Sequence, residues 1–183
     1  MLFPITLPHE WVSVDQRAAS LLPNEYFDWL SSQSSLTTRI KELGIAFSVE
    51  VLSQTKINLS DEHKSVLQVN DNIALTREVL LKQGDAALVY AQTIMPQSTI
   101  TGTESMLAEL GNQSLGQVLF QSRQATRGPI EYSEVDVNSP LGRFIEDALH
   151  QTIVKPCYIR RSTFHLNNKP LLVSECFLPE LFV

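Results

Sequence analysis

Two segments of this chain hold paired alternating runs around a turn dipeptide, and few folds accommodate two such units. Ile73 to Gln83 is followed by Gly84-Asp85 and a returning run from Ala87 to Met95, which stops at Pro96. Cys157 to Leu166 is followed by Asn167-Asn168 and the run Leu171 to Leu178. Gly and Asn tolerate the positive φ that two-residue turns require, so each unit reads as an antiparallel hairpin. Two further strands are expected. In Ala46 to Leu52, Phe47, Val49 and Val51 alternate with Ser48 and Glu50; residues 121–135 form the other, interrupted at Gly128-Pro129.

Helices fall between these runs. Pro23-Asn24 opens one that carries Tyr26, Phe27 and Leu30 on one side. Ser34 and Ser35 cap a second, running through Leu36, Arg39 and Ile40 to Gly44. Thr103 to Leu110 is a third, Ser114 to Phe120 a short helical or irregular piece, and Asn138-Ser139-Pro140 starts another from Leu141 to about His150. Residues 1–22 read as an irregular arm. About six strands, mostly hairpin-linked with helices inserted, predict an α+β fold with an antiparallel sheet rather than a doubly wound α/β fold. The 183 residues suit one domain, with no repeat, low-complexity tract or linker to divide residues 1–183.

Composition removes several function classes. Hydrophobic residues make up 43%, enough for a core, and the net charge of −6 repels phosphate backbones, so no nucleic-acid partner is expected. An acidic protein can still bind an anion, but only through a few placed cations. Cys157 and Cys176 are too few for a disulfide framework and lack metal-ligand spacing; they read as free thiols in a reducing compartment. Met1 to Trp11 is apolar but short, lacks basic residues and contains Pro4 and Pro8, so it does not read as a signal peptide. No apolar run approaches the roughly 20 residues of a membrane span. A soluble, cytoplasmic monomer is expected. There is no Gly-x-Gly-x-x-Gly, phosphate loop, His-Glu-x-x-His or Gly-x-Ser-x-Gly, and His9, His63, His150 and His165 are scattered. What remains is chemistry that needs positioning and a few charges, with no metal and no cofactor.

Two charges stand in apolar rows. Period-two alternation places Arg77 with Leu75, Val79 and Leu81, and Glu175 with Leu171, Val173 and Phe177. A buried charge costs several kcal/mol unless it is paired and hydrogen-bonded. Either the two pair with each other, or one lies at a wet edge, or both line a closed pocket. In the last case Arg77 would grip a ligand carboxylate with its planar fork of donors, and Glu175 would face a ligand hydroxyl or ether oxygen.

At these residues the chain resembles the bacterial chorismate pyruvate-lyases of ubiquinone biosynthesis. The similarity lies in Leu75-Thr76-Arg77-Glu78-Val79-Leu80-Leu81, in Met95-Pro96-Gln97-Ser98-Thr99 and in Ser114-Leu115-Gly116-Gln117-Val118-Leu119-Phe120. It returns in Arg160-Arg161-Ser162 and in Lys169-Pro170-Leu171-Leu172-Val173-Ser174-Glu175-Cys176-Phe177-Leu178-Pro179. Residues 24–127 and 158–180 are mostly covered. The resemblance implies an antiparallel sheet with helical flaps over a buried site, and an enzyme that converts chorismate to 4-hydroxybenzoate and pyruvate without metal or cofactor. It makes Arg77 the ligand of the ring carboxylate and Glu175 the group near the ring hydroxyl. Glu175 would serve either as an acid–base group or by orienting the hydroxyl for a concerted transfer of the ring hydrogen. Leu115 would reach the ligand partly through its backbone, and Leu36 would stand where the family is expected to carry methionine. For the second carboxylate of chorismate, Arg160 and Arg161 are candidates, Arg160 favoured, although both also fit the solvated end of a strand.

Residues 132–156 form a segment longer than the family pattern implies and are expected to be surface elaboration. Within that segment Pro140-Leu141-Gly142-Arg143 also resembles the family's Pro-Leu-Gly-Arg stretch; the flap position is assigned to Ser114–Phe120, which follows a helix and precedes a strand. The rival reading is a non-enzymatic domain that senses a small aromatic acid on the same fold. Such a domain would follow a DNA-binding helix-turn-helix module, and about 22 residues precede the first expected helix.

Overall fold

A computed structural model describes residues 2–44 and 46–183. Both hairpins form where the alternation places them. Strand β3 (Ile73–Gln83) returns as β4 (Ala86–Pro96) through Gly84 and Asp85, with Gly84 at φ +57°. Strand β7 (Tyr158–Leu166) returns as β8 (Lys169–Phe177) through Asn167 and Asn168, whose φ values of 51° and 63° give the twist that a two-residue hairpin needs.

The sheet has eight antiparallel strands in the order β1-β6-β7-β8-β4-β3-β2, with β5 pairing β7 off that path. Here β1 is Val12–Ser13, β2 Phe47–Asn58, β5 Ala125–Arg127 and β6 Glu131–Glu134. The six expected strands become eight in two ways. Gly128-Pro129 splits one expected strand into β5 and β6, because proline cannot donate to a ladder. The arm contributes β1, which pairs with Tyr132 and Glu131 of β6. The arm is therefore not irregular throughout: it also carries helix α1 (Gln16–Leu21).

Two differences lie along the edge strand. β2 runs to Asn58 rather than stopping near Leu52, because its register shifts between Val51 and Ser53 and breaks the alternation. Helix α4 (Asp61–Leu67) follows, and was not expected. Its signals are ordinary ones: Ser60 accepts from the His63 N–H, Asp61 and Glu62 occupy the first turn, and Gln68 ends it in the left-handed region.

The sheet is covered on both faces. On the front lie α2 (Asn24–Ser31), α3 (Leu36–Glu42) and α5 (Leu115–Gln121), with Tyr26, Leu30, Ile40 and Leu119 in the core. The stretch expected to be a helix before α5 is a 3-10 helix, Gly102–Glu109. On the back, Ile5 of the arm packs with Leu80, Tyr90 and Ile159. Leu67 of α4 packs with Ala74, Ile94 and Leu172. Among the described residues no helix is long and apolar enough to cross a membrane.

The expectation for residues 132–156 as surface elaboration is corrected. Ser139 caps α6 (Pro140–Arg143), which passes into a π-helical turn at Phe144–Ala148 instead of continuing to His150. Leu141, Phe144 and Ile145 are fully buried against the back of the sheet. Gly142 makes that docking possible, since a Cβ there would collide with the carbonyl oxygens of Asp136 and Val137. Gly142→Ala should therefore cost about 2–3 kcal/mol of stability, read as a lower denaturant midpoint at unchanged slope; a wild-type midpoint would refute this packing account.

Candidate active site

β3 and β8 place the two charges. Alternation sends Arg77 of β3 and Glu175 of β8 to the front face, where both line one cavity. Arg77 pairs across the sheet with Thr93, and Glu175 with Ala91 two residues earlier on β4. Two strand spacings across and one two-residue step along put their Cα atoms about 12 Å apart. The two do not pair with each other. Both instead line the same cavity.

The roof is helical. Leu36 and Leu115 are the first residues of α3 and α5, each following a serine cap, and both line the cavity. The Thr37 and Ser114 hydroxyls hydrogen-bond at 2.5 Å and tie the two helices together above the site. Thr93, Phe164 and Val173 are among the residues of the floor and walls. Leu36, Arg77, Leu115 and Glu175 are thus brought round one cavity. The Pro140-Leu141-Gly142-Arg143 stretch lies on the opposite face.

The electrostatics of the two ends differ. Arg77 is 2% exposed, and its Nη2 donates to the Gln113 carbonyl at 3.1 Å. Its Nη1 is buried without a hydrogen-bond partner, and among the described residues Arg77 forms no ion pair. Burial lowers its pKa. A guanidinium left in this condition is stabilised by any carboxylate that enters, and the fork geometry favours a bidentate grip.

Glu175 is held from the side. Its Oε2 accepts from Arg160 Nε at 2.8 Å and lies 4.0 Å from Arg127 Nη2. Among the described residues no hydrogen bond reaches Oε1. Arg160 is 1% exposed, and its Nη1 also donates to the carbonyls of Trp29, Leu30 and Ser32. These carbonyls close the C-terminal end of α2, which needs donors and favours a cation. Arg160, the favoured candidate for a second ligand carboxylate, thus has its Nε and Nη1 engaged by Glu175 and the end of α2, and it is buried rather than a solvated strand end. Arg161, one residue on, points to the back face and pairs with Glu131 and Glu62.

Sequence reasoning missed Arg127 and Glu78. Arg127 lies in the weakest strand signal, just before Gly128-Pro129. Glu78 is fully buried on the back face, where its Oε1 accepts from the Ile5 N–H at 2.8 Å and the Tyr90 hydroxyl at 2.6 Å. Its signal was the same alternation that exposed Arg77, applied to the other face. Among the described residues no cluster of His, Cys, Asp or Glu could hold a metal ion.

A latched helical roof over a sheet, with an unpaired arginine at one end and a braced carboxylate at the other, defines a lidded α+β domain suited to a small organic acid. The chorismate lyase family model matches residues 9–183, and the chain belongs to that family. A probable chorismate pyruvate-lyase of Psychromonas ingrahamii is 42% identical over 152 residues, covering 83% of this chain and 81% of the relative. One from Pseudoalteromonas translucida is 34% identical over 184 positions, covering 99% and 98%. The chorismate pyruvate-lyase of Photorhabdus laumondii is 30% identical, covering 96% and 92%. Among solved structures, the effector domain of PhnF from Mycobacterium smegmatis aligns with a TM-score of 0.59 at 13% identity, over 81% of this chain and 91% of that one. The possible transcriptional regulator YydK from Bacillus subtilis aligns at 0.54 and 12% identity, over 81% and 64%. These last two likenesses show the fold alone.

Proposed function

We propose that this protein is a chorismate pyruvate-lyase, converting chorismate to 4-hydroxybenzoate and pyruvate as the first committed step towards ubiquinone. The observation that carries the reading is the buried Arg77 guanidinium, which among the described residues has no carboxylate partner and faces a cavity that Glu175 also lines. Chorismate has a ring carboxylate para to a ring hydroxyl, and beside the hydroxyl an enolpyruvyl ether. Arg77 takes the ring carboxylate. Glu175 Oε1 accepts from the hydroxyl, while Oε2 stays with Arg160. Leu36 and Leu115 close over the ring and exclude water, Leu115 also offering an N–H from the first turn of α5.

The reaction breaks the ether C–O bond, removes the ring hydrogen from the carbon bearing the hydroxyl, and leaves an aromatic ring; the enol fragment with its proton becomes pyruvate. Aromatisation drives it, so the protein's work is orientation and water exclusion, with Glu175 fixing the hydroxyl carbon for loss of its hydrogen. This reading carries with it a monomeric, cytoplasmic protein without a nucleic-acid partner, in which residues 1–183 act as one unit.

The test is direct. Purified protein mixed with chorismate in EDTA should release 4-hydroxybenzoate and pyruvate in equal amounts. No product, with a thermal shift on adding 4-hydroxybenzoate, would replace the reading with a sensing domain on the same fold.

A further inference from the structure

Arg127 stands beside Glu175 with one donor nitrogen left over by the fold. Its Nε donates to the Ser162 hydroxyl at 2.9 Å and its Nη1 to the Ser32 carbonyl at 3.1 Å. The guanidinium carbon lies 5.1 Å from the centroid of Phe164, a wall of the cavity. Among the described residues Nη2 makes no hydrogen bond, and it stands 4.0 Å from Glu175 Oε2, an oxygen already engaged by Arg160 at 2.8 Å. Two guanidinium groups therefore share one carboxylate. The Arg127 side chain is 9% exposed. Burial, and then the neighbouring Arg160, lower its pKa to about 10, which leaves it charged at neutral pH. Such a site carries surplus positive charge and favours an additional anion.

We propose that Arg127 Nη2 receives the second carboxylate of the substrate, the one on the enolpyruvyl group, and so selects the dicarboxylate substrate over the monocarboxylate product. This assignment rests on the lyase reading. With the ring carboxylate on Arg77 and the ring hydroxyl on Glu175, the ether oxygen is one ring carbon from the hydroxyl. Its side-chain carboxylate then falls within reach of the groups that surround Glu175, among them Arg127. Loss of pyruvate removes the carboxylate that Arg127 holds, so the product keeps only the Arg77 and Glu175 contacts.

The test compares Arg127→Gln and Arg127→Lys with wild type in steady-state turnover of chorismate and in calorimetric titration with 4-hydroxybenzoate. For Arg127→Gln, the KM for chorismate should rise about 10- to 100-fold, while the Kd for 4-hydroxybenzoate stays within about threefold; Arg127→Lys should recover part of the KM. Retained product binding also reports that the variant is folded with its site intact. A KM unchanged in Arg127→Gln overturns the assignment. A parallel loss of substrate and product affinity overturns it as well, because Arg127 would then only brace Glu175 and α2. A wild-type protein that turns over no chorismate overturns the lyase reading itself, and this assignment falls with it.

Discussion

Arg77→Ala should weaken both chorismate and 4-hydroxybenzoate by about 3 kcal/mol, or roughly a hundredfold. Both ligands carry the ring carboxylate, so the two losses should match, unlike the split expected at Arg127. The effect is large because the arginine is 2% exposed and a carboxylate brought to it is desolvated as well. Stability should move the other way from affinity. Among the described residues this guanidinium has one carbonyl contact and no ion pair, and burial lowers its pKa. Arg77→Met, which keeps most of the volume without the charge, should melt at or above the wild-type temperature while binding as poorly as the alanine variant. Titration calorimetry and thermal unfolding read the two quantities separately. Wild-type affinity in Arg77→Ala would remove the arginine from the site, and a large stability loss in Arg77→Met would make it structural.

Glu175→Gln should lower kcat by about 100- to 1,000-fold, within the range that a positioned acid–base group supplies. Binding of 4-hydroxybenzoate should change far less, since an amide oxygen still accepts from a hydroxyl. A stability cost accompanies the kinetic one. Arg160 is 1% exposed and among the described residues pairs with no carboxylate but Glu175, so neutralising Glu175 leaves a buried charge leaning on three carbonyls. About 2–3 kcal/mol should be lost, a drop of roughly 5–10 °C in Tm for a protein of this size. Kinetics measured well below the new Tm separate the two effects. Wild-type kcat at that temperature would exclude Glu175 from the chemistry.

The hairpins were legible because their information is local: turn residues that tolerate positive φ lie between runs of fixed parity. The same parity revealed Arg77 and Glu175 as misplaced charges. Three features needed non-local knowledge. Glu78 looks like the solvent-side neighbour of Arg77 until the arm is seen to cover that face and spend the Ile5 N–H on its carboxylate. Arg127 faces the site only because Ala125–Arg127 pairs with Phe164–Leu166, a contact across nearly forty residues that short-range pattern does not encode. Arg160 read as a ligand group because nothing in Arg160-Arg161-Ser162 shows that the end of α2 comes to rest on it. The second half of β2 escaped for a simpler reason: one shifted residue inverts the alternation.

The adjacent pairs Arg77-Glu78, Arg160-Arg161 and Glu175-Cys176 also protect the fold against misassembly. Within each pair the two side chains have different destinations on opposite faces of one sheet. A slip of one residue in β3 would press a guanidinium against the Ile5 N–H and turn a carboxylate towards Glu175. In β7 it would exchange the arginine that grips Glu175 for the one that serves Glu62 and Glu131. Hydrophobic alternation alone would punish such a slip weakly here, since both faces are buried and Leu80 would suit the front much as Leu81 does. In β3 the charges supply the parity check that the apolar residues lack: its registration is verified by opposite signs buried on opposite faces.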